Sequence, residues 1–273
     1  ISHFLKSEHK HGRRSPAYSK YNWCYISYCY LNLGDCRSAA DYFERYLVLR
    51  PEDLNSQSGL IFCYEMLSEY DKAASAYERA MQRPDTHPEM HLRFSQLLFE
   101  MGKTAEALEQ AEIAEQKASN RIDKNIIDAH KNYINGHMEE CVEIIKQAVS
   151  AYDNNDCTGE LYWHDELYVF LSQAQRKLGD DLGAMETLER AMAMFPYQIW
   201  LMNELAASYA EKGVKLAKAD KLMDRALKHS PDNPIFLDTK GWVLFKMNKT
   251  AESQIFLQKS LEMNPNDKEV RQH

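Results

Sequence analysis

Small side chains return along this chain at a fixed interval. Ala39, Ala73, Ala107 and Cys141 lie 34 residues apart, and Ala184, Ala219 and Ser253 carry the series on. A period of this size marks a repeat array, in which one supersecondary unit recurs and cannot bury its apolar side alone. Other residues keep step with it. Five positions before the small residue stands a turn former, as Gly34, Ser68, Gly102, Gly136, Gly179 and Asn248, with Gly213 six before Ala219. Seven positions after it a small residue comes again, as Ala80, Ala114, Ala148, Ala191, Ala226 and Ser260; Tyr46 is the large exception. Pro51, Pro196, Pro231 and Pro265 stand twelve after it, and Pro84 falls one early. Glycine permits the left-handed backbone that closes a helix, paired small residues let two helices approach, and proline stops the second helix. The period therefore predicts a chain of helical hairpins.

These residues resemble the tetratricopeptide repeat family, whose pattern runs W-x2-L-G-x2-Y, then A-x3-F, then P. The first unit reads Trp23, Ile26, Ser27, Tyr30, Gly34, Ala39, Phe43 and Pro51; the second keeps Leu60, Tyr64, Ala73 and Tyr77. The sixth keeps Leu205, Ala206, Tyr209, Gly213 and Ala219, and the last keeps Gly241, Leu257 and Pro265. The resemblance covers Lys20 to Asp267. It implies an all-α fold, a right-handed α-solenoid of about seven helix-turn-helix repeats at 20–53, 54–87, 88–121, 122–152, 165–198, 199–232 and 233–267. A basic segment 1–19 precedes the array, a polar insert near 153–164 interrupts it, and a tail 268–273 follows. Pro16, 35 residues before Pro51, reads as the stop after a closing helix of an earlier unit at Ile1–Lys10. In the fourth unit a register slid by one residue seats Ile126, Ala129 and Tyr133 inward and leaves Asp128 outward. Tyr30, Phe43, Tyr64, Tyr77 and Tyr209 fall on packing slots.

Hydrophobic residues make up 44% of the chain, with only 10 Gly and 8 Pro in 273 residues, which leaves little room for disorder or a turn-rich β fold. No apolar run approaches the roughly 18 residues of a membrane span, so no direct membrane insertion is expected and a cytoplasmic location is the default, with a removed leader compatible with it. Six scattered cysteines show no Cys-x2-Cys pairing and read as buried structural thiols, neither a disulfide framework nor a zinc site. The motifs of nucleophilic hydrolases, phosphate loops and metalloproteases are missing, so no enzyme, no cofactor and no metal are expected. His87 and His91, four apart, read as a surface pair, and the nearby Pro88 offers no third ligand.

What remains is a binding surface. In the family's geometry the first helices of the repeats line the concave side, and the resemblance carries peptide-binding slots onto Tyr21, Tyr28, Phe62, Glu65, Glu89, Gln96, Phe99, Glu166, Arg176, Trp200, Asn203, Asp238 and Trp242. Aromatics with amides and acids suit the grasp of an extended segment or a helix of another protein. For Phe62, Trp200 and Trp242 the same spacing also fits a core role. The slots that in chaperone-clamping members carry lysine and asparagine hold Cys24, Tyr28, Ser58 and Phe62. The asparagine-ladder slots of members fused to a sugar transferase hold Tyr25, Gly59, Arg93, Phe170, Glu204 and Thr239. Neither specialised surface is expected.

Charge narrows the partner. The chain carries 33 basic and 41 acidic residues, net −8, and Ile1–Ser19 holds Lys6, Lys10, Arg13 and Arg14 against Glu8 alone, so the rest is more acidic still. Nucleic-acid binding needs clustered cations to neutralise phosphates, and none are present. The expectation is a protein-interaction scaffold or adaptor for a neutral or basic polypeptide segment. The alternative is a partner-recruiting arm of a larger enzyme or assembly. Self-association through the array's ends is a third possibility.

Overall fold

The computed structural model describes residues 16–83, 86–154 and 164–264, with the side chains of 16–21 and of His164 outside the description. The readings of 1–15 as a closing helix and basic tail, of Pro84 and Pro265, of Tyr21 as a groove side chain and of most of the insert fall outside the described residues. Among the described residues there are fourteen helices and no strand, as the all-α repeat reading requires. In chain order they are α1 (Pro16–Leu33), α2 (Cys36–Leu49), α3 (Leu54–Met66), α4 (Tyr70–Ala80), α5 (Pro88–Glu100), α6 (Thr104–Lys117), α7 (Arg121–Asn135) and α8 (Met138–Asp153). They continue as α9 (His164–Leu178), α10 (Asp181–Met194), α11 (Ile199–Lys212), α12 (Leu216–His229), α13 (Pro234–Lys246) and α14 (Thr250–Met263). Pro16, read from sequence as a stop, is instead the first described residue of α1, where a missing amide proton costs nothing if it lies in a first turn.

The turn slots behave as one chemical set. Gly34, Gly102, Gly136, Gly179 and Gly213 all have positive φ, and so do the residues that replace glycine at that slot, Ser68 (φ +54°) and Asn248 (φ +62°). Each hairpin thus closes its first helix through the left-handed region, at a steric cost wherever the residue is not glycine. The second helix starts from a side-chain cap in two hairpins: Asp35 accepts from the Ser38 amide at 3.0 Å and Asp180 from that of Gly183 at 2.9 Å. Such caps contribute about 1 kcal/mol each.

The small slots carry the packing. Ala39, Ala73, Ala107, Cys141, Ala184, Ala219 and Ser253 are all buried, as are Ala80, Ala114, Ala148, Ala191, Ala226 and Ser260. The two serines bury a hydroxyl without leaving it unpaired: Ser253 Oγ donates to the Gly241 carbonyl at 2.8 Å and Ser260 Oγ to that of Pro234 at 2.7 Å. In the fourth hairpin Ile126 and Ala129 are fully buried while Asp128 is exposed. Phe43, Tyr64, Tyr77 and Tyr209 are core residues. Tyr30 is not: half-buried, it stacks on Tyr42 with ring centroids 5.8 Å apart.

Successive hairpins are stitched by a polar bond reaching back from a first helix to the preceding second helix. The Tyr64 hydroxyl donates to Glu44, the Tyr209 hydroxyl to Glu189 Oε1 at 2.6 Å, and Lys240 Nζ to Asp220 Oδ1 at 2.6 Å, each pair 20 residues apart. Tyr168 does the same towards Asp153 at 2.7 Å. Burial and the facing carboxylate both raise the phenols of Tyr64, Tyr168 and Tyr209, so they stay protonated as donors. Asp153, assigned from sequence to the insert, is the last residue of α8 and also pairs with Arg190.

The sequence implies one continuous array, whereas the packing divides the chain into two compact units. One spans Met81–Val214 and contains α5 to α11. The other is discontinuous, joining the stretch up to Ala80 with that from Lys215, and contains α1 to α4 with α12 to α14. Within each unit, helices neighbouring in sequence pack on one another, and first helices also meet, α1 with α3 and α9 with α11.

Candidate functional site

In the Met81–Val214 unit the first helices α5, α7, α9 and α11 bring several of the expected groove residues together. Arg93 stands between two carboxylates. Its Nε donates to Glu89 Oε1 at 2.9 Å within α5, and its Nη2 reaches both oxygens of Glu166 on α9 at 3.3 Å. A second arginine repeats the arrangement: Arg176 on α9 contacts Glu204 at 3.3 Å and Glu211 at 3.7 Å, both on α11. Each arginine thus faces two carboxylates. Burial raises the Glu166 carboxyl above its ordinary range, an effect that Arg93 opposes.

An aromatic cluster lies on the same helices. Phe99 meets Tyr133 edge-to-face at 5.9 Å, Tyr133 meets Phe170 at 5.6 Å, and Lys177 Nζ sits 5.3 Å from the Tyr133 ring centroid. Behind Phe170 lies His130, a buried imidazole 6.1 Å from that ring, whose Nε2 is 3.3 Å from Ser95 Oγ. Ser95 spends its proton on the Ala107 carbonyl at 2.6 Å, so the imidazole donates to it. Burial alone lowers His130 to about 4. A neutral, enclosed ring of this kind is a packing element.

Other expected residues fare differently. Gln96 and Trp200 are half-buried on α5 and α11, whereas Asn203 is buried and not presented as a groove amide. His91, read as a surface histidine, is buried too and bonds Gln110 at 2.9 Å, while His87 caps α5 from an exposed position. Arg93, Tyr133 and Glu204 complete the face, with Phe170 buried beneath Tyr133, and the sequence reading did not select these four. Arg93, Phe170 and Glu204 occupy slots noted only for lacking asparagine, and Tyr133 falls in the hairpin of shifted register.

The discontinuous unit holds the remaining candidates. Tyr28 is half-buried, edge-on to Phe43 at 5.1 Å, and its neighbour Cys24 lies 3.8 Å from Ser56 Oγ. Glu65 accepts from the Tyr77 hydroxyl at 2.8 Å, which ties it to the hairpin α3–α4 rather than to a ligand. Asp238 is buried, so it too is withdrawn from the surface. Phe62 is half-buried, and so is Trp242, which stacks on Phe245 at 5.5 Å with Lys246 Nζ 4.3 Å from its ring. Lys240 on α13 is buried between Asp220 and Asp224 of α12, at 2.6 and 2.5 Å, and its pKa stays raised despite burial because both carboxylates hold its proton. The thiols of Cys36 and Cys63 are buried side by side, and contact with Cys36 together with burial pushes Cys63 up. Among the described residues there is no group of three His, Cys, Asp or Glu able to hold a metal, and no helix long and apolar enough to cross a membrane.

Helical hairpins in register, closed at left-handed turns and joined at buried small residues, define an all-α repeat protein. Models of the tetratricopeptide repeat match residues 30–88 and 236–267. Those two stretches are thus similar to tetratricopeptide repeats, a repeat class that in general terms builds protein-interaction scaffolds. The chain is 26% identical over 184 residues to a TPR repeat-containing protein of Pseudomonas aeruginosa, a match covering 67% of this chain and 29% of that protein. The chain therefore spans less than a third of that relative. It is similar in fold to a chain of the APC/C hetero-tetramer Cut9–Hcn1, with a TM-score of 0.52 at 16% identity over 88% of this chain and 45% of the other. It is also similar to a tetratricopeptide repeat protein from Parabacteroides merdae, with a TM-score of 0.53 at 13% identity over 93% of this chain and 96% of that one.

Proposed function

We propose that the first-helix face of the Met81–Val214 unit holds a neutral or basic polypeptide segment of another protein. The observation that carries this reading is the bracketing of Arg93 and Arg176 by two carboxylates each. A cation brought by the partner shares Glu89 and Glu166, or Glu204 and Glu211, with the resident arginine, while an anion meets net repulsion. Phe99 and Tyr133 offer the apolar contact between the charged groups, backed by buried Phe170. Gln96 and Trp200 are the remaining half-buried positions through which a segment is gripped.

Fluorescence anisotropy with synthetic peptides matched in length, lysine-containing against glutamate-containing, tests the proposal. Lysine peptides are expected to bind the better and to weaken as salt rises. Glu166→Gln should weaken them roughly two- to fivefold, the range of a partly exposed ion pair, whereas Arg93→Gln should tighten them by removing the competing cation. Preferential binding of glutamate peptides, or tighter binding at high salt, refutes the reading.

A further inference from the structure

The discontinuous unit joins segments nearly two hundred residues apart, and it does so through hairpin tips. At the first tip the Asp232 amide donates to the Leu33 carbonyl at 3.2 Å and Ser230 Oγ donates to the Asn32 carbonyl at 3.3 Å. At the second tip the side-chain amide of Asn264 donates to the Met66 carbonyl at 3.3 Å and to Ser68 Oγ at 3.2 Å. Asn233 caps the start of α13 and Asn264 the end of α14. The first two turns of the array therefore meet the opposite ends of its last described hairpin.

The turn glycines give an independent indication that the first contact is built for closeness. Gly34 and Gly102 share nearly the same backbone, φ +83° and +77°. A Cβ on Gly102 meets nothing within 4 Å, and the same holds for Gly136, Gly179 and Gly213; one on Gly34 falls 2.6 Å from the Asn233 amide nitrogen. Gly34 alone among these five is pressed against another part of the chain. Ser230, Asn233 and Asn264 are all buried, so the polar groups at the junction are enclosed and costly to leave unpaired.

We infer that these contacts form a two-point latch, so that the segments before Ala80 and after Lys215 open and close together. In an ordinary repeat array each unit feels only its neighbours in sequence, and the ends fray independently. Here a change at Asn264 reaches Ser68, and a change at Gly34 reaches the start of α13. Opening exposes the carbonyls of Asn32, Leu33 and Met66 as well as the loop before α13.

Hydrogen exchange on the full chain, followed by mass spectrometry, tests the latch with Gly34→Ala against Gly102→Ala. Both substitutions strain a left-handed turn, but only the first collides with Asn233. Gly34→Ala is expected to speed exchange of the Ile235, Phe236 and Leu237 amides about tenfold, the loss of roughly one buried hydrogen bond, and Gly102→Ala to leave them unchanged. Asn264→Ala answers from the other side and survives as a test if Gly34→Ala does not fold. Its main-chain bond to Ser260 remains, so α14 keeps its end, and the Ser68 and Glu69 amides should exchange about tenfold faster. The latch is overturned if acceleration in Gly34→Ala stops within the first hairpin and in Asn264→Ala within α14, or if Gly102→Ala loosens α13 equally.

Discussion

His130 should make this protein acid-sensitive by an amount that its surroundings fix. The imidazole is enclosed between Ser95 and Phe170, and burial alone lowers it from 6.5 to about 4. An unfolded chain takes up a proton near pH 6.5, while the folded one refuses it until about pH 4. The stabilisation is therefore complete above pH 6.5 and is lost as pH falls from 6.5 towards 4. At roughly 1.4 kcal/mol per pH unit the full difference is about 3 kcal/mol, of which about 2 kcal/mol has gone by pH 5. Urea melts of the wild type and of His130→Leu at pH 7 and pH 5 isolate this share, since every other titrating group is common to both. Ser95 keeps its bond to the Ala107 carbonyl in the variant, so no new unpaired hydroxyl complicates the comparison. The wild type should lose about 2 kcal/mol more than the variant on acidification. Equal losses in the two proteins refute the claim that the ring is held neutral by enclosure.

Two further outcomes follow from the packing. Tyr209→Phe removes the hydroxyl that bonds Glu189 while leaving the buried ring in place, and should cost about 1 kcal/mol in chemical denaturation; no loss makes this stitch between hairpins ornamental. Ala107→Leu forces a large side chain into a fully buried slot between α5 and α6 and should cost about 1–3 kcal/mol by overpacking, whereas the same change at exposed Ala105 should be nearly neutral. A calorimetric scan of the pair distinguishes them.

The architecture was legible because its grammar is local. A small residue at Ala73 and a turn former at Ser68 specify one hairpin from within a single stretch of chain, and the φ of Ser68 and Asn248 shows that the slot, not glycine itself, sets the left-handed turn. The site was less legible because exposure depends on what arrives from elsewhere. Glu65 and Asp238 sit on first-helix slots like Glu166, yet Tyr77 claims the first and packing encloses the second. Arg93 became visible as a site residue only when Glu166, 73 residues away, came within reach. His91 appeared as half of an exposed pair because i and i+4 share a face, but that face is turned towards Gln110. The latch left no local trace at all, since Gly34 and Gly102 read alike in sequence and differ only in what stands opposite them.

Asp153 also bears on engineering. By ending α8 with a carboxylate that grips both Tyr168 and Arg190, the chain ties that helix to α9 and α10. These contacts hold the end of α8 against both helices of the next hairpin. An epitope or fluorophore attachment sequence grafted between α8 and α9 should therefore be designed to leave Asp153, Tyr168 and Arg190 in place.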